Sequence, residues 1–180
     1  MNAHIVGVLL AAGAGRRYGK PKVLVDGWLD IAVNALRDGG CRHIVLVLGA
    51  ADVPPPVGVT AVTARDWHRG VSASVRAGLA VAESLQADFA ALHVVDTPDV
   101  GASVVARVID RALESQSGLT RAYFSGRPGH PVVLARRHWN AALAKITGDT
   151  GVGAYLRTRT DLDTVDCSDI ASGHDIDEPA

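Results

Sequence analysis

Two hydrophobic patterns alternate along the chain, and each predicts one kind of secondary structure. Short apolar runs with little charge are typical of strands that are buried on both faces of a parallel sheet. Such runs cover residues 4–11, 42–48 and 87–95. Residues 59–63 are a separate candidate for a short strand. The stretches between these segments place apolar residues at helical spacing. The pattern therefore predicts an alternation of strands and helices.

The predicted helices follow from apolar spacing and from the residues at their ends. In the first, the apolar residues from Leu29 to Leu36 recur at helical spacing, and Gly39 is placed to end the helix. Residues 70–85 and 103–114 predict two further helices. These helices connect the apolar runs, as expected for parallel strands.

The last third of the chain has a different pattern. Residues 120–125 and 131–135 flank GRPGH and predict a hairpin or an edge insertion, followed by a pair of polar helices near Trp139 and Val152. Because strands and helices otherwise alternate, we predict one α/β domain over residues 1–180. Its central sheet is mostly parallel and flanked by helices.

Ligands of open α/β sheets bind at the carboxyl ends of strands. This rule selects residues 12–22, 65–74 and 96–99. The first of these ends the segment LLAAGAGRRYGKPK, whose glycines fit neither the dinucleotide fingerprint nor the phosphate loop of P-loop proteins. A phosphate-binding loop of another kind remains the interpretation to test.

Two features of this loop favour an anionic ligand over an ordinary glycine-rich turn. Gly13 and Gly15 allow a ligand to approach the backbone closely. Four cations crowd the same loop and repel one another unless an anion is bound; they are Arg16, Arg17, Lys20 and Lys22. We therefore predict a triphosphate site in which Arg17 and Lys22 neutralise charge.

Carboxylates follow the third apolar run and recur near the chain's end. Asp96 stands directly after the predicted strand, where it would suit a hard divalent cation or, equally well, shape an Asp-Thr-Pro turn. Asp175 and Asp177 are two residues apart and share a face if extended. They suit a second metal carboxylate, although a solvated acidic terminus explains them when they are taken alone.

Two other signals are weaker. The segment WHRGVSASVRAGL contains the start of a predicted helix at Gly70. The N-terminus of this helix would bind an anion or a polar group. Alternatively, Ser72 or Ser74 would serve only as the N-cap of the helix. His130 stands in GRPGHP, where a turn residue is the simpler interpretation.

The overall composition of the chain indicates which classes of binding partner are unfavourable. The net charge of −1 argues against nucleic acid or a membrane surface as a partner bound by overall charge. Cys41 and Cys167 are far apart in sequence and predict reduced thiols in a cytoplasmic protein. No apolar run approaches membrane-spanning length.

Six segments, in order along the chain, carry a resemblance to one family. They are LLAAGAGRRYGKPK, WHRGVSASVRAGL, VVDTPDV, GRPGHPVVL, GDTGVGAYL and HDIDEP. On these segments the chain resembles the molybdenum-cofactor nucleotidyltransferases, which have a MobA-like NTP transferase domain and a GT-A-like Rossmann fold. The resemblance is strongest to the CTP:molybdopterin cytidylyltransferases.

The resemblance implies roles for individual residues. The implied nucleotide-binding residues are Leu10, Ala11, Ala12, Gly13, Gly15, Arg17, Lys22, Gly70 and Ser74. The implied catalytic residues are Arg17, Lys22 and Asp96. The implied Mg²⁺ ligands are Asp96 with Asp177 or Asp175, and His130 and Asp149 would face the acceptor.

The implied reaction transfers CMP from CTP, preferred over GTP, to the phosphate of molybdopterin and releases pyrophosphate. A molybdoenzyme or its maturation chaperone would be the protein partner. Three alternatives stay open: a guanylyltransferase, a sugar-phosphate nucleotidyltransferase, and a non-catalytic nucleotide- or cofactor-binding protein. Gly153, which stands where the family usually has arginine, favours the last of these, whereas the retained Arg17, Lys22, Asp96 and Asp177 argue against it.

Overall fold

The computed structural model describes residues 2–180, which form one seven-stranded sheet with helices on both faces. The strands are β1 (Ile5–Leu10), β2 (His43–Leu48), β3 (Val59–Thr63), β4 (Phe89–Val94), β5 (Leu119–Phe124), β6 (Arg127–Ala135) and β7 (Asp163–Asp166). The helices are α1 (Trp28–Asp38), α2 (Val71–Ser84), α3 (Ala102–Glu114), α4 (Trp139–Lys145) and α5 (Gly153–Leu156). Short 3₁₀ turns cover Lys22–Leu24, Trp67–Arg69 and Arg136–His138.

The strands lie in the order β3-β2-β1-β4-β6-β5-β7. Strands β3, β2, β1 and β4 are mutually parallel, β6 runs opposite to β4 and β5, and β7 is parallel to β5. The predicted α/β fold with a mostly parallel sheet is thus confirmed. The helices between parallel strands supply the crossovers that such strands require.

Each face of the sheet has its own hydrophobic core because successive strand residues point to opposite sides. Leu9 belongs to the core that includes residues of α1 and α3 on one face, while its neighbour Val8 belongs to the core that includes residues of α2, α4 and α5 on the other. The contact between α2 and β1 is especially close at Gly78, where an added Cβ would overlap the side chain of Val8. A glycine at this point lets the helix lie directly on the strand.

The hairpin predicted around GRPGH is confirmed, but it is not an edge insertion. Strands β5 and β6 are joined by Ser125 and Gly126, which have φ angles of 51° and 76°. Strand β6 lies between β4 and β5, and β7 forms the edge beyond them. The apolar pattern did not predict β7, because its sequence DTVD is short and mostly polar.

The helices that the sequence predicts between the strands are also present. The two polar helices predicted near Trp139 and Val152 correspond to α4 and α5, the second being a single turn. Within residues 2–180, no helix has both the length and the apolar content required to cross a membrane.

Candidate active site

A cavity of about 410 Å³ opens where β1 and β4 end, at the carboxyl edge of the parallel part of the sheet. The predicted site residues that line it are Leu10, Ala11, Ala12, Gly13, Gly15, Arg17, Lys22, Ser74, Asp96 and Asp177. Lining residues that the sequence did not single out as site residues include Tyr18, Val23, Val71, Val94 and Val95. The cavity therefore combines a cationic loop, carboxylates and apolar walls.

The loop after β1 folds back on itself through its glycines. Gly15 has a φ of +61°, and a Cβ there would overlap the carbonyl of Lys20. The amide of Gly19 donates to the carbonyl oxygen of Gly15 over 2.8 Å and closes the turn. By contrast, a Cβ at Gly13 would meet no atom within 4 Å, so there is open space beside the backbone for a ligand.

An ion-pair cluster forms one wall of the cavity. The Lys22 ammonium donates to Asp96 Oδ2 over 2.7 Å and to Asp177 Oδ1 over 2.8 Å. Arg17 pairs with the other oxygen of Asp177 at 3.0 Å. The Lys22 side chain is 14% exposed and that of Arg17 is 74% exposed, so Lys22 is the inner cation of the pair.

These contacts determine the protonation states of Lys22 and Asp177. Burial lowers the pKa of Lys22, but hydrogen bonds with Asp177 and Asp96 outweigh it, so the pKa is raised overall. The hydrogen bond from Lys22 holds the pKa of Asp177 below its usual value. Lys22 is therefore a cation and Asp177 an anion at neutral pH.

The Asp96–Asp177 pair fits a divalent cation that arrives with phosphate. Its two oxygens already hold one cation, the Lys22 ammonium, between them. Within residues 2–180, no group of three or more His, Cys, Asp or Glu side chains is arranged to hold a metal. Mg²⁺ commonly uses only one or two protein carboxylates and completes its shell with phosphates and water. The donor set therefore suits a metal that binds together with a nucleotide.

Asp175 lies in a second cavity, of about 380 Å³, beside the first. The residues around this cavity are Phe124, Arg127, Pro128, Ser172, Gly173, His174, Asp175 and Asp177. Burial and the charges of Asp96 and Asp177 raise the pKa of Asp175. Asp177 borders both cavities and thus stands between two potential binding spaces.

Gly70 and Asp149 are neighbours, although the resemblance gives them different roles. A Cβ on Gly70 would clash with Gly148 and with Asp149 Oδ1 at 2.5 Å, and the Ser72 amide donates to the Gly148 carbonyl over 3.0 Å. Neither Gly70 nor Asp149 lines the two cavities described above. Their assignments to the nucleotide and the acceptor stay predictions.

Two histidines lie close to the site: His93 is fully buried on β4, and His130 is partly buried on β6. Burial, together with the charge of Arg121, lowers the pKa of His130 to about 4, so its imidazole is neutral at pH 7. Burial and His130 lower the pKa of His93 to about 3. Neither nitrogen of His93, nor the Thr97 hydroxyl, has a hydrogen-bond partner within residues 2–180. His93 was not singled out from the sequence, although a histidine within the apolar run of residues 87–95 was a signal that could have identified it.

The protein is an α/β protein with a glycine-rich cationic loop and paired carboxylates at its strand ends, where proteins of this class bind their ligands. Residues 7–165 match the family of MobA-like NTP transferase domains, and the chain belongs to that family. It is a nucleotidyltransferase by family, as the sequence resemblance implied.

The chain is also similar to individual proteins. The chain is 32% identical to the nicotine blue oxidoreductase of Paenarthrobacter nicotinovorans over 96% of this chain and 92% of the relative. The crystal structure of Rv0371c from Mycobacterium tuberculosis H37Rv is similar with a TM-score of 0.79 and 27% identity, over 99% of this chain and 95% of the other.

Two further structures extend the comparison. A manganese complex of Rv0371c has a TM-score of 0.71 at 23% identity, over 91% of this chain and 88% of the other. A nucleotidyl transferase from Methanothermobacter thermautotroptrophicus has a TM-score of 0.80 at 19% identity, over 98% and 93% of the two chains. At these identities, the likeness shows the shared fold.

Proposed function

We propose that this protein is a Mg²⁺-dependent cytidylyltransferase that transfers CMP from CTP to the phosphate of a molybdopterin-type acceptor. The acceptor phosphate attacks the α-phosphorus of CTP, and pyrophosphate leaves. The observation that carries this proposal is the cluster of Lys22, Asp96 and Asp177 on the wall of the glycine-lined cavity. Cations and carboxylates that converge at one point are what phosphoryl chemistry requires.

The chain's own residues have separable tasks in this reaction. The backbone from Leu10 to Gly15 holds the nucleotide, and Arg17 and Lys22 neutralise its triphosphate. Asp96 and Asp177, with Asp175 close to both, would hold Mg²⁺, which when bound withdraws charge from the reacting phosphates. Catalysis of this type consists mainly of positioning and charge neutralisation.

Lys22 has to change partners when the nucleotide binds. In the structure its ammonium is hydrogen-bonded to both carboxylates. A triphosphate and its metal ion would offer Lys22 phosphate oxygens in place of Asp96 and Asp177. Because hydrogen bonds with those carboxylates raise its pKa, Lys22 enters the exchange as a cation.

The acceptor would approach from the second cavity, on the far side of Asp177. His130 contributes a neutral imidazole rather than a charge, because its pKa is about 4. Ser74 and Gly70 would lie on the nucleotide side, and Asp149 beside Gly70 would help to shape the entrance. A molybdoenzyme or its maturation chaperone would receive the product. GTP in place of CTP, or a sugar phosphate as acceptor, are the related alternatives.

A redox reaction is the second candidate, because the curated relative at 32% identity is named an oxidoreductase. Both cysteines of the chain are free and buried, and burial raises the pKa of Cys41 to about 12. The cysteines therefore do not offer a reactive dithiol, and a redox reaction would need a bound electron carrier such as a nicotinamide or a flavin.

The deciding experiment measures pyrophosphate release from CTP, GTP, UTP and ATP, with molybdopterin or a sugar phosphate as acceptor. Reduction of nicotine blue by reduced nicotinamide or flavin is assayed in parallel. We expect acceptor-dependent pyrophosphate release with CTP and Mg²⁺. Reduction of nicotine blue without pyrophosphate release would overturn the proposal in favour of the redox candidate.

Asp96→Asn provides the matched negative control for this assay. The substitution keeps the shape of the side chain but removes the charge that would attract a metal ion. We expect turnover to be abolished while the thermal unfolding curve remains that of the folded protein. A wild-type rate at saturating Mg²⁺ would show that Asp96 only shapes the turn after β4.

A further inference from the structure

A second aspartate in the loop after β4 accepts several hydrogen bonds from the end of the chain. Asp99 Oδ2 accepts from the amide of Ser172 at 2.7 Å, from the hydroxyl of Ser172 at 2.6 Å and from the amide of Gly173 at 3.3 Å. Hydrogen bonds to an ionised carboxylate are among the stronger ones in proteins. Asp99 is therefore an anchor point for a segment 73 residues away in sequence.

The anchored segment leads directly to the carboxylates of the candidate site. We call residues 172–177 the C-terminal strap. After Gly173, the strap is tied by the Ile176 amide, which donates to the Asp96 carbonyl over 2.9 Å. The next residue, Asp177, then contacts Lys22 at 2.8 Å. The strap is thus held to the loop after β4 at two points, Asp99 and the Asp96 carbonyl. It is also held through His174, which is hydrogen-bonded to Arg127, and through Asp177, which pairs with Lys22 and Arg17.

Gly173 makes the turn at the anchored end possible. Its φ is +64°, and a Cβ there would overlap the ring of Phe124. The strap consequently lies against Phe124 and turns at Gly173 toward Asp175 and Asp177. The direction of this turn depends on where the Ser172 and Gly173 amides are held, which is the contact that Asp99 makes.

We propose that Asp99 is a positioning residue, which fixes the C-terminal strap so that Asp177 and Asp175 stand opposite Asp96. One loop would then supply the first metal carboxylate itself and hold the other two in place through Asp99. This inference rests on the proposed metal-dependent function and assigns a role to a residue that contacts neither the nucleotide cavity nor Lys22.

Two substitutions separate positioning from charge. Asp99→Ala removes the acceptor. Asp99→Asn keeps one oxygen, which can accept the two shorter hydrogen bonds from Ser172, but removes the negative charge. Asp169→Ala is the matched control, because Asp169 also holds the C-terminal region, through two hydrogen bonds from Arg107 at 2.6 and 2.9 Å, but outside the strap.

The main measurement is the dissociation constant for Mn²⁺, determined by electron paramagnetic resonance with saturating CTP and no acceptor. Loss of the anchor should lower the population of the binding-competent strap, which weakens metal binding in proportion. We expect Asp99→Ala to raise the dissociation constant about tenfold. Asp99→Asn and Asp169→Ala should change it by less than about threefold. At saturating metal, kcat of Asp99→Ala should approach the wild-type value, since all three site carboxylates remain.

Each other outcome overturns the role of Asp99. Equal weakening by Asp99→Asn and Asp99→Ala would show that the charge attracts the metal and that the hydrogen bonds do not matter. Equal weakening by Asp169→Ala would show a general loosening of the C-terminal region. Unchanged metal binding in Asp99→Ala would show that the strap holds itself in place.

A readout that does not depend on function separates failure of this proposal from failure of the proposed function. Amide hydrogen exchange at Ile176 reports whether the strap is attached to Asp96. Asp99→Ala should speed this exchange about tenfold, and Asp99→Asn should not. If wild-type protein neither binds Mn²⁺ nor releases pyrophosphate, the proposed function fails, whereas exchange still tests the anchor. If the exchange at Ile176 is unchanged in Asp99→Ala, the proposed anchoring role of Asp99 is wrong, even if the wild-type protein is active.

Discussion

The ammonium of Lys22 lies between two carboxylates that the proposed function assigns to a metal ion. This position gives Lys22→Ala two opposite consequences. Without the ammonium, the triphosphate loses a preorganised positive charge, and kcat should fall by roughly 10²–10³. At the same time Asp96 and Asp177 lose their internal cation, so Mn²⁺ should bind the nucleotide-free protein more tightly.

Both effects are measurable, by pyrophosphate release and by Mn²⁺ titration. Lys20→Ala is the matched control, because Lys20 is an exposed lysine of the same loop that does not line the cavity. It should leave both quantities near wild type. If Lys22→Ala raises only the nucleotide KM, Lys22 binds the nucleotide uniformly and does not act on the transition state.

Ala12 is the residue expected to influence the choice of base. It is 5% exposed, lines the cavity, and its methyl lies 2.8 Å from where a Cβ on Gly49 would be. Replacing Ala12 by glycine opens space for a larger purine. One methyl group in a pocket contributes about 1–3 kcal/mol, or roughly 10–200-fold in discrimination. Ala12→Gly should therefore reduce the preference for CTP without abolishing it.

The measurement is kcat/KM for CTP and for GTP with the same acceptor, in the wild type and in Ala12→Gly. A wild-type preference for GTP, or equal use of both nucleotides, would contradict the assignment to the cytidylyl branch. The family assignment would stand after that result, because it rests on the match over residues 7–165.

At the scale of elements, the contact of α2 with β1 depends on Gly78. An added methyl would overlap Val8 in a fully buried interface. Overpacking of this kind lowers the free energy of unfolding by about 1–3 kcal/mol. The better helix propensity of alanine, about 1 kcal/mol, offsets only part of this loss. Gly78→Ala should therefore be destabilising in urea unfolding.

Gly153 in α5 is the matched helical glycine for this measurement. A Cβ there would meet only the ends of Arg121 and Arg157, at 3.4 and 3.6 Å, and these flexible side chains can move. Gly153→Ala should be neutral or slightly stabilising. Equal effects of the two substitutions would show that helix propensity, rather than the contact with Val8, decides the outcome.

Three of the strands that the sequence predicted share one property. Strands β1, β2 and β4 are buried on both faces, and this burial leaves an apolar run in the sequence. Strand β7 has no such run, because it forms the edge and only Val165 of its four residues is buried. Its place beside β5 comes from pairing over about 40 residues, which local patterns do not encode.

At the scale of the whole molecule, the candidate site also combines residues that the sequence identified with a contact that only the fold creates. The resemblance named Lys22, Asp96 and Asp177, which the structure brings together although Lys22 and Asp177 are 155 residues apart. It did not name Asp99, because the feature that distinguishes Asp99 is where the end of the chain returns. Such a contact exists only after the sheet has brought β4 and the C-terminal segment together.

Two histidines with lowered pKa values, His93 and His130, make the whole molecule sensitive to acid. His93 lies on β4 with no hydrogen-bond partner within residues 2–180, and burial lowers its pKa to about 3. His130, on the adjacent strand β6, has a pKa of about 4 because of burial and the charge of Arg121. In the unfolded chain both histidines titrate near about 6.5. Between these values the unfolded state binds protons that the folded state does not.

The free energy of unfolding should therefore fall as the pH is lowered from about 6.5 toward 4, by at most about 1.4 kcal/mol per pH unit for each histidine. His93→Leu removes one of these groups and fills its place with an apolar side chain, so the fall should become less steep by up to that amount. His68→Gln, at an exposed position, should keep the wild-type slope.

The measurement is urea unfolding of the three proteins at several pH values between 4.5 and 7.5. The three slopes are compared with one another, because carboxylates add the same acid dependence to all three proteins. Parallel curves for wild type and His93→Leu would show that His93 takes up its proton in the folded protein as readily as in the unfolded chain.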